Sequence, residues 1–448
     1  MLHLGLGSFF RAHPCWYTDH APDAAGWGIA AFTGRGSAQL ADALNAQDGL
    51  YTLVSRGDET DAAEVIGCLS YARTAADQES WLRSFASPDL AVVTVTVTEA
   101  GYARGMDGGL DTDRPEIAAD IDALRNGRVA EVSTAPARLV AGFAARLRAG
   151  AGPVAVMPCD NVTGNGAVVA RVLTELTRLV DQSLEEYMRE SVSVVTTVVD
   201  RITPRPAPDD GRAALAATGF EDRCPVVTEP FAEWVLSGTF PAGRPRWHEA
   251  GALVTEDARP YERRKLWLLN GAHSLLAYAG SILGHVTVAQ AAADDTCQRW
   301  LADWWDVAAG HLDRPAEETA AYQRALVARF GNGRINDQLA RIAADGSQKL
   351  PVRVLPVLRA ERAAGRLPAA ATLALAAWAC HLRGLGAPVS DVKAAEVVPI
   401  AAGPLAAAVP RLLRWLDPVL GDDGDLTGLI AQQCDQLARG AGSHLRER

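Results

Sequence analysis

The sequence predicts an α/β protein in which a doubly wound parallel sheet is followed by an all-helical C-terminal domain. In the first half, short apolar runs alternate with helical patterns, and these runs lie at 1–5, 27–33, 90–98, 153–158 and 191–200. They are apolar throughout, as strands covered on both faces must be. From about residue 257 onward only helical patterns occur. The change in pattern predicts a sheet domain at 1–256 and a helical domain at 257–448.

The individual elements follow from the same patterns. Between the strands, 134–149 and 166–182 have the periodicity of helices, and 51–73 is expected to be an inserted strand pair. In the second half, apolar periodicity broken by Gly and Pro predicts helices at 297–311, 316–330, 335–344, 351–364, 368–384, 404–417 and 425–438.

Length and composition exclude several classes of protein. The chain has 448 residues, 48% of them hydrophobic, which is enough for two cores. Its net charge of −11 argues against nucleic-acid binding, and no apolar run is long enough to span a membrane. The 7 cysteines form no CxxC pair, and the first residues lack the basic segment of a signal peptide. We therefore expect a cytoplasmic protein with reduced thiols.

A glycine-containing loop follows the first predicted strand. Gly5 and Gly7 stand where a dinucleotide-binding loop needs a tight turn and a close approach to the pyrophosphate. A helix that starts at Ser8 would direct its N–H groups at the phosphates. Phe10 occupies the place of the third glycine of GxGxxG. An ordinary strand–helix turn is the alternative, but the position at the first strand of a Rossmann-type pattern favours a dinucleotide.

The end of the second strand leaves the choice between NAD and NADP open. NAD enzymes commonly have an acidic residue there that binds the ribose 2′-hydroxyl. This chain has Thr33, Gly34 and Arg35, and the next acid is Asp42. Arg35 could hold the 2′-phosphate of NADP, or it could be a solvated loop residue.

Four polar residues share one face of a predicted helix. With Lys265 at 0° and about 100° per residue, Glu262 falls at about 60°, His273 at about 80° and Asn270 at about 140°. Leu and Ala fill the rest of that face, which does not fit a solvated run of charges. A lysine close to a protonated histidine or a cofactor has a lowered pKa, as a general base requires. The polar positions of an ordinary amphipathic helix are the alternative.

The spacing Tyr261-x-x-x-Lys265 also matches the short-chain dehydrogenases. Those enzymes have a serine at a moderate distance upstream of the tyrosine, whereas the nearest upstream serine here is Ser237. A short-chain-type reductase is therefore a less favoured alternative.

Polar residues also follow three predicted strands. They are Thr98 and Glu99, Asp160 and Asn161, and Asp200 and Arg201. Ligands of open α/β sheets bind at the carboxyl ends of the strands, although each residue alone could be a helix cap or turn residue. In the second half, Asp345 and Gly346 are expected to break a helix and leave Lys349 on a loop, not far from Arg341. An ordinary helix–helix connection is the alternative there.

Together these motifs resemble the polyol-specific long-chain dehydrogenase/reductase family, which includes mannitol 2-dehydrogenase and fructuronate reductase. The resemblance covers nearly the whole chain, through 5–13, 47–51, 96–102, 159–161, 199–204, 229–235, 261–274 and 345–353. It implies a Rossmann-type domain, a helical domain and metal-independent hydride transfer with a lysine as general base. One departure is Phe10, where sugar-alcohol enzymes often have His.

The resemblance also implies a role for each candidate residue. Lys265 would be the base, Asn161 and Asn270 would hydrogen-bond the reacting oxygen, and His273 would orient the substrate. Glu262 matches a glutamate thought to relay protons. The residues that would contact substrate hydroxyls or its distal end are Asp200, Arg341 and Lys349. The expected cofactor-binding residues are Gly5, Gly7, Ser8, Phe9, Arg11, Arg35, Thr98 and Glu99.

The sequence thus predicts an NAD(P)-dependent oxidoreductase that interconverts a polyol or aldonate alcohol and the corresponding ketose or keto-uronate. Family habit favours NAD, and Arg35 favours NADP. A catalytically inert dinucleotide-binding protein is the alternative from another class, although such a protein has no need of a base. No HxxxH or CxxC spacing occurs, so no metal site is expected. The expected partner is a small sugar alcohol, ketose or uronate, with no nucleic acid or membrane, and the chain is expected to be a monomer or homodimer.

Overall fold

The computed structural model describes residues 1–34, 38–105, 107–204, 207 and 209–444. The chain folds into two compact units, Met1–Arg259 and Pro260–Arg448. The domain boundary predicted after residue 256 lies just before this division. In the part of the chain that is described, no helix has both the length and the apolar character needed to cross a membrane.

Three sheets occur in the described part of the first unit. Their strands are β1 (Leu2–Leu4), β2 (Ile29–Phe32), β3 (Tyr51–Arg56), β4 (Asp61–Ile66), β5 (Leu69–Arg73), β6 (Val92–Val95), β7 (Val154–Pro158), β8 (Val192–Val194), β9 (Thr196–Asp200), β10 (Val226–Thr228), β11 (Glu233–Ser237) and β12 (Leu253–Val254). The main sheet has the order β5-β2-β1-β6-β7-β8, and all its neighbouring strands are parallel. This is the strand order of the Rossmann fold, in which the direction of winding reverses between β1 and β6. The predicted doubly wound sheet is confirmed.

The two smaller sheets correct two details of the prediction. The region 51–73 forms three strands instead of a pair, and β5 joins the main sheet. The single strand expected at 191–200 is divided between β8 in the main sheet and β9, which pairs with β11. The Asn165 side chain accounts for the division. It accepts a hydrogen bond from Thr197 N at 3.0 Å and donates one to Thr197 O at 3.1 Å, at an edge where the main ladder would otherwise continue.

Helices and the smaller sheets cover the main sheet on both faces. The helices of the first unit are α1 (Ser8–Ala12), α2 (Pro14–Asp19), α3 (Ala38–Asn45), α4 (Gln78–Phe85), α5 (Pro115–Arg125), α6 (Ala135–Ala149), α7 (Asn165–Val180), α8 (Gln182–Ser191) and α9 (Asp210–Thr218). Alternate strand residues face opposite sides. Leu2 and Leu4 pack with the apolar residues of α4 to α8, whereas Ile29 and Ala31 pack with α1, α2 and α3. This two-sided burial explains why the strands are apolar throughout.

A buried arginine stabilises the amino-terminal edge of the main sheet. Arg146, in α6, is 1% exposed. Its guanidinium donates hydrogen bonds of 2.7–3.0 Å to the backbone carbonyls of Phe85, Ser87, Leu90, Ala151, Gly152 and Pro153. Buried carbonyls outside regular structure need donors from elsewhere. The Arg146 side chain thus supplies hydrogen-bond donors for the backbone carbonyls of the irregular segments that lead into β6 and β7.

The described part of the second unit is helical, as predicted, with only an isolated bridge between Thr287 and Gln338. One continuous rod consists of α10 (Arg259–Arg264), a first π-helical segment (Lys265–Gly271), α11 (Ala272–Leu275) and a second π-helical segment (Leu276–Gly280). The remaining helices are α12 (Val288–Ala292), α13 (Asp295–Ala309), α14 (Ala316–Gly331), α15 (Leu339–Ala343), α16 (Gly346–Arg353), α17 (Leu355–Ala363), α18 (Ala369–Leu382), α19 (Ala394–Ala401), α20 (Leu405–Leu416), α21 (Pro418–Gly421) and α22 (Gly424–His444). The Ala-rich α18 is buried on nearly all sides and packs against α22.

We predict that Arg146→Met lowers the free energy of unfolding by at least about 3 kcal/mol, because several buried carbonyls lose their donor at once. Arg148→Met, two residues further along α6 and exposed, should change it by less than about 0.5 kcal/mol. Urea denaturation followed by circular dichroism measures both. Equal free energies of unfolding of the two variants would show that the Arg146 hydrogen bonds make no net contribution to stability.

Candidate active site

A cleft lies where the winding of the main sheet reverses, at the carboxyl ends of β1 and β6. Its volume is ≈ 630 Å³, within the range of about 300–1,000 Å³ that is typical of ligand pockets. It is lined by Leu4, Gly5, Leu6, Gly34, Ala75, Ala76, Thr96, Val97, Thr98, Ala100, Gly101, Ala103, Arg114, Glu116, Ser133, Thr134, Ala135 and Arg138. This is the place at which open α/β sheets bind ligands. Gly5 and Thr98, two of the predicted cofactor-binding residues, line this cleft.

Gly5 lines the cleft at a point where its backbone closely approaches Thr96. Its φ is +111°, and a Cβ at this position would lie 2.0 Å from Thr96 O. Gly5 N donates to Phe32 O at 2.9 Å, and Gly5 O accepts from Thr96 Oγ1 at 2.7 Å. The loop therefore joins β2 and β6 in a conformation that only glycine adopts without strain. A bare backbone at this point is what a dinucleotide-binding loop needs.

The described end of β2 carries no carboxylate. Thr33 Oγ1 accepts a hydrogen bond from Ala75 N at 3.0 Å, and Gly34 lines the cleft. Nearby, Arg138 donates to Ala75 O at 2.5 Å, and burial lowers the pKa of its guanidinium. Arg35, the residue that favours NADP, lies outside the described residues.

Arg11, one of the predicted cofactor-binding residues, supports the glycine loop and is not among the described residues that line the cleft. It is 3% exposed, and its guanidinium donates to Gly7 O at 3.3 Å and to Cys224 O. The group also lies 5.3 Å from the centre of the Tyr51 ring. Because its donors are directed at backbone carbonyls inside the first unit, Arg11 fixes the loop from behind.

The other predicted cofactor residues lie around the loop and the end of β6. Gly7 precedes α1, in which Ser8 and Phe9 are the first residues, and the Phe9 ring stacks on His13 at 5.1 Å. Glu99 is largely exposed and pairs with Arg104 at 3.5 Å. None of these four residues is among those that line the cleft in the described structure.

Asp160 and Asn161 follow β7 at the same edge of the main sheet. The Asp160 carboxylate accepts hydrogen bonds from the Tyr102 hydroxyl and, at 3.0 Å, from Val162 N. Burial and the Asp160 charge raise the pKa of Tyr102 well above its usual value. These bonds fix the turn that presents the exposed Asn161. Tyr102 was not singled out from the sequence, although it lies inside the family-like segment 96–102.

Asp200 does not lie at the carboxyl edge of the main sheet, where the sequence places it. It ends β9 in the third sheet, opposite Glu233 of β11, and is 2% exposed. The cause is the division of the strand by Asn165, described above. The neighbouring Arg201 is also buried, donates to Ala12 O at 2.6 Å and has its pKa lowered to about 10 by burial.

The predicted base and its companions lie on the π-containing rod of the second unit. Lys265 is the first residue of the first π-helical segment and is 7% exposed. Asn270 lies in the same segment, and Glu262 precedes it in α10. His273, in α11, is buried, and its ring stacks on Phe330 at 4.7 Å. The sequence predicted the shared face, but it gave no sign of π-helical geometry.

Arg341 and Lys349 lie on α15 and α16, two helices that pack against the same rod. Lys349 Nζ donates to Ile342 O at 3.2 Å. Burial and the neighbouring Arg353 charge lower the pKa of Lys349 to about 8. Arg341 is exposed and pairs with Asp337 at 2.5 Å. The cations thus gather beside the rod, which suits a polar or anionic ligand.

The loop predicted around Lys349 is a helix, which is a correction. Asp345 has φ +56°, and α16 starts immediately after it at Gly346. The Asp391 carboxylate caps this helix, because it accepts from Ser347 N at 2.9 Å and from Ser347 Oγ at 2.5 Å. A cap supplied 44 residues away is not visible in the local sequence.

Comparison with known proteins agrees with this architecture. A family model described as the mannitol dehydrogenase Rossmann domain matches residues 1–249, and one described as the mannitol dehydrogenase C-terminal domain matches residues 257–397. The chain belongs to the mannitol dehydrogenase family. The predicted family and the assignment to oxidoreductases are confirmed, and the short-chain and inert alternatives are not favoured.

Several members of the family are similar to this chain over most of its length. D-Arabinitol 4-dehydrogenase from Ralstonia nicotianae is 36% identical over 394 residues, which are 86% of this chain and 83% of that protein. Mannitol 2-dehydrogenase from Emericella nidulans is 34% identical over 370 residues, which are 80% of this chain and 72% of that protein. The solved ternary complex of Pseudomonas fluorescens mannitol 2-dehydrogenase with NAD and D-mannitol is 30% identical, with a TM-score of 0.86 over 100% of this chain and 93% of that chain.

One group of potential metal ligands occurs among the described residues of this family member. His285, Asp294 and Cys297 have ligand atoms within 4.8 Å of one another. Asp294 Oδ1 caps α13 by accepting from Thr296 N at 2.8 Å and Cys297 N at 3.0 Å, and Oδ2 lies 3.4 Å from His285. Helix capping and an ion pair account for this arrangement, and the group contains none of the predicted catalytic residues.

We predict that Gly5→Ala abolishes cofactor binding and lowers the melting temperature, because its Cβ would overlap Thr96 O. Gly7→Ala is the matched control for folding, since its φ is −149° and a Cβ would approach only Gly5 O, at 3.6 Å. Thermal melts and NADH fluorescence titration measure the two effects. A Gly5→Ala protein that melts and binds NADH like the wild type would contradict the role of this contact.

Proposed function

We propose that this chain is an NAD-dependent polyol dehydrogenase that oxidises a secondary alcohol of a sugar alcohol to the ketose and catalyses the reverse reduction. The proposal rests on the presence of two features in the same chain. One is a cleft at the switch point of a Rossmann sheet, and the other is a buried lysine, Lys265, on the helix that also carries Asn270 and His273. The complex of a family member with NAD and D-mannitol supports it. An aldonate and its keto-uronate are included in the proposed substrate class.

The cleft of the first unit fits a dinucleotide. Its volume is ≈ 630 Å³, and Gly5 lines it with bare backbone. A nicotinamide dinucleotide held there would supply a hydride acceptor for the alcohol and a hydride donor for the ketone. We propose NAD as the natural cofactor, because the related complex contains NAD. The case for NADP rests on Arg35 alone.

We propose Lys265 as the general base. Its side chain is 7% exposed and lies on the same helix as Asn270 and His273, and an amine must be neutral to accept a proton. In oxidation the amine takes the proton of the substrate hydroxyl as a hydride leaves the carbon that bears this hydroxyl. In reduction the ammonium form returns that proton to the new alcohol. Oxidation should therefore be faster at higher pH, and reduction at lower pH.

The other polar residues are proposed to hold the substrate. The amides of Asn270 and Asn161 donate hydrogen bonds to the oxygen that becomes negatively charged, which lowers the barrier by electrostatic stabilisation. The Phe330 ring fixes the plane of His273, which then orients a neighbouring hydroxyl. Glu262, one turn before Lys265, is proposed to pass the proton to solvent. Family resemblance supports the roles of Asn161 and Glu262.

The distal end of the substrate is proposed to bind Arg341 and Lys349, with Asp200 as a further hydroxyl-binding residue. Two cations suit hydroxyl oxygens and also a terminal carboxylate. Lys349 is held against Ile342 O, which limits its freedom before substrate arrives. This arrangement supports both a neutral polyol and a sugar acid as substrates.

We also infer a cytoplasmic enzyme that acts without a metal ion. All 7 cysteines are free, as in a reducing compartment. The work that a zinc ion does in other dehydrogenases, polarising the alcohol oxygen, falls here to the lysine and the two amides. A monomer or homodimer remains the predicted state.

We predict that Lys265→Ala lowers kcat for polyol oxidation by about 10²–10⁴, the usual contribution of general acid–base catalysis. Lys393→Ala is the matched control, because Lys393 is exposed and its ammonium only pairs with Glu396. The rate of NADH formation measures kcat, and a fluorescence titration shows whether NADH still binds. Wild-type turnover by Lys265→Ala would remove this residue from the mechanism.

The lowered pKa of Lys349 predicts a pH effect that depends on substrate charge. Its pKa falls from 10.5 to about 8, so the side chain is cationic below about pH 8 and neutral above it. The KM or inhibition constant of an aldonate should therefore rise above that pH relative to the KM of a neutral polyol. Lys349→Met should remove the difference. Parallel pH profiles for acid and neutral ligands in the wild type would contradict a carboxylate contact at Lys349.

A further inference from the structure

The π-helical geometry of the rod determines which side chains share a face. In an α-helix, two residues five positions apart, such as Lys265 and Asn270, are about 140° apart. A π-helix bonds residue i to i+5, so each residue turns through less than ~100° and residues five positions apart are separated by a much smaller angle than in an α-helix. Lys265 and Asn270 both lie in the first π-helical segment. The wide turn thus brings the amine and the amide to the same side of the rod.

Two helices of the second unit donate hydrogen bonds to this segment. Trp304 Nε1 donates to Trp267 O at 2.8 Å, and Trp305 Nε1 donates to Leu268 O at 2.9 Å. Arg353 donates to Asn270 O at 3.4 Å and to Ser274 Oγ at 3.2 Å. Where a π-helical turn returns to an α-helical turn, a carbonyl loses its regular partner inside the helix, and buried carbonyls need another donor. Indole and guanidinium groups from outside the rod supply it.

The position of α13 against the rod also depends on close packing. A Cβ on Gly271 would lie 2.5 Å from the Trp304 ring, so the absence of a side chain there lets the indole reach the backbone. Phe330 stacks on His273 at 4.7 Å on one side and on Trp305 at 6.2 Å on the other. Trp305 therefore contacts both the backbone between Lys265 and Asn270 and, through Phe330, the ring of His273.

We infer that Trp304, Trp305 and Arg353 are positioning residues, which hold the first π-helical segment in the register that aligns Lys265, Asn270 and His273. The inference rests on the proposed function, since it concerns the residues that are proposed to act on the alcohol. The three donors touch the backbone of the segment and are not proposed to touch the substrate. Their removal should therefore change the rate of the chemical step more than the binding of cofactor.

The first test uses Trp305→Phe and Trp304→Phe, which remove the N–H donor and keep an aromatic ring. We expect kcat for polyol oxidation to fall about 10–100-fold, the effect of misplacing reacting groups by about 1 Å. KM for the polyol and the dissociation constant of NADH should stay within about twofold. Trp300→Phe is the matched control on the same helix, because Trp300 lines a surface groove together with residues of α18 and α22. It should leave kcat unchanged.

A second set of variants separates the hydrogen bond from ring volume and folding. Replacing Trp305 by β-(3-benzothienyl)alanine keeps the shape of the indole and loses only the N–H, so kcat should fall as in Trp305→Phe. At position 353, Arg353→Met should lower kcat, and Arg353→Lys, which keeps a cationic donor, should restore part of it. If Trp304→Phe and Trp305→Phe do not fold, these variants still test the inference.

Three results would overturn the inference. Wild-type kcat in the benzothienylalanine protein would show that the N–H donor is not needed. Equal kcat of Arg353→Met and Arg353→Lys, or a rise in KM with unchanged kcat, would assign Arg353 to packing or substrate binding. A wild-type protein that oxidises no polyol and reduces no ketose would instead refute the proposed function, and the positioning role would fall with it.

Discussion

The close approach of Gly5 to Thr96 is the constraint on which the first unit depends. β1 is a central strand, so its chain must leave the sheet while β2 and β6 continue on either side. Gly5 does this with φ +111°, bonded to Phe32 O on one side and to Thr96 Oγ1 on the other. Since the winding reverses at this point, no further strand covers the turn, and a cleft is left above it.

The two units share a second physical feature. In each unit, a side chain forms hydrogen bonds with backbone N–H or C=O groups that have no partner in regular secondary structure. Arg146 does so before β6 and β7, and Asn165 does so where β8 ends. In the second unit, Trp305 bonds a carbonyl of the first π-helical segment. Each of these three side chains is buried. Its loss would leave unpaired backbone atoms in the interior, which lowers the free energy of unfolding. Irregular backbone in both units is thereby held in place.

Much of the fold could be predicted from the sequence because burial on both faces leaves a plain signal. The strands β2, β6 and β7 are short, largely apolar runs, whereas the apolar run of the second unit, α18, is Ala-rich and long enough for a helix. The predictions that were wrong depend on contacts distant in the chain. Asn165 divides the strand at 191–200, and Asp391 caps α16. No local pattern reports these contacts.

The candidate site residues can be named from the sequence, but their geometry cannot. Helical spacing indicates Lys265, Asn270 and His273, and family resemblance gives Arg341 and Lys349 a role that spacing does not. These assignments stay predictions. The π-helical turns were missed because propensity and periodicity do not distinguish them from α-helix, and Arg353 was missed because its contact is with backbone atoms.

The most direct test is NADH formation by the wild-type enzyme, stripped with a strong chelator, from a panel of polyols. Reduction of NAD by at least one polyol, at the same rate before and after chelation, is expected if a lysine and amides activate the alcohol. The same panel run with NADP shows which dinucleotide is preferred. No reduction of either dinucleotide by any polyol, or activity that is lost on chelation and restored by zinc, would contradict the proposed chemistry.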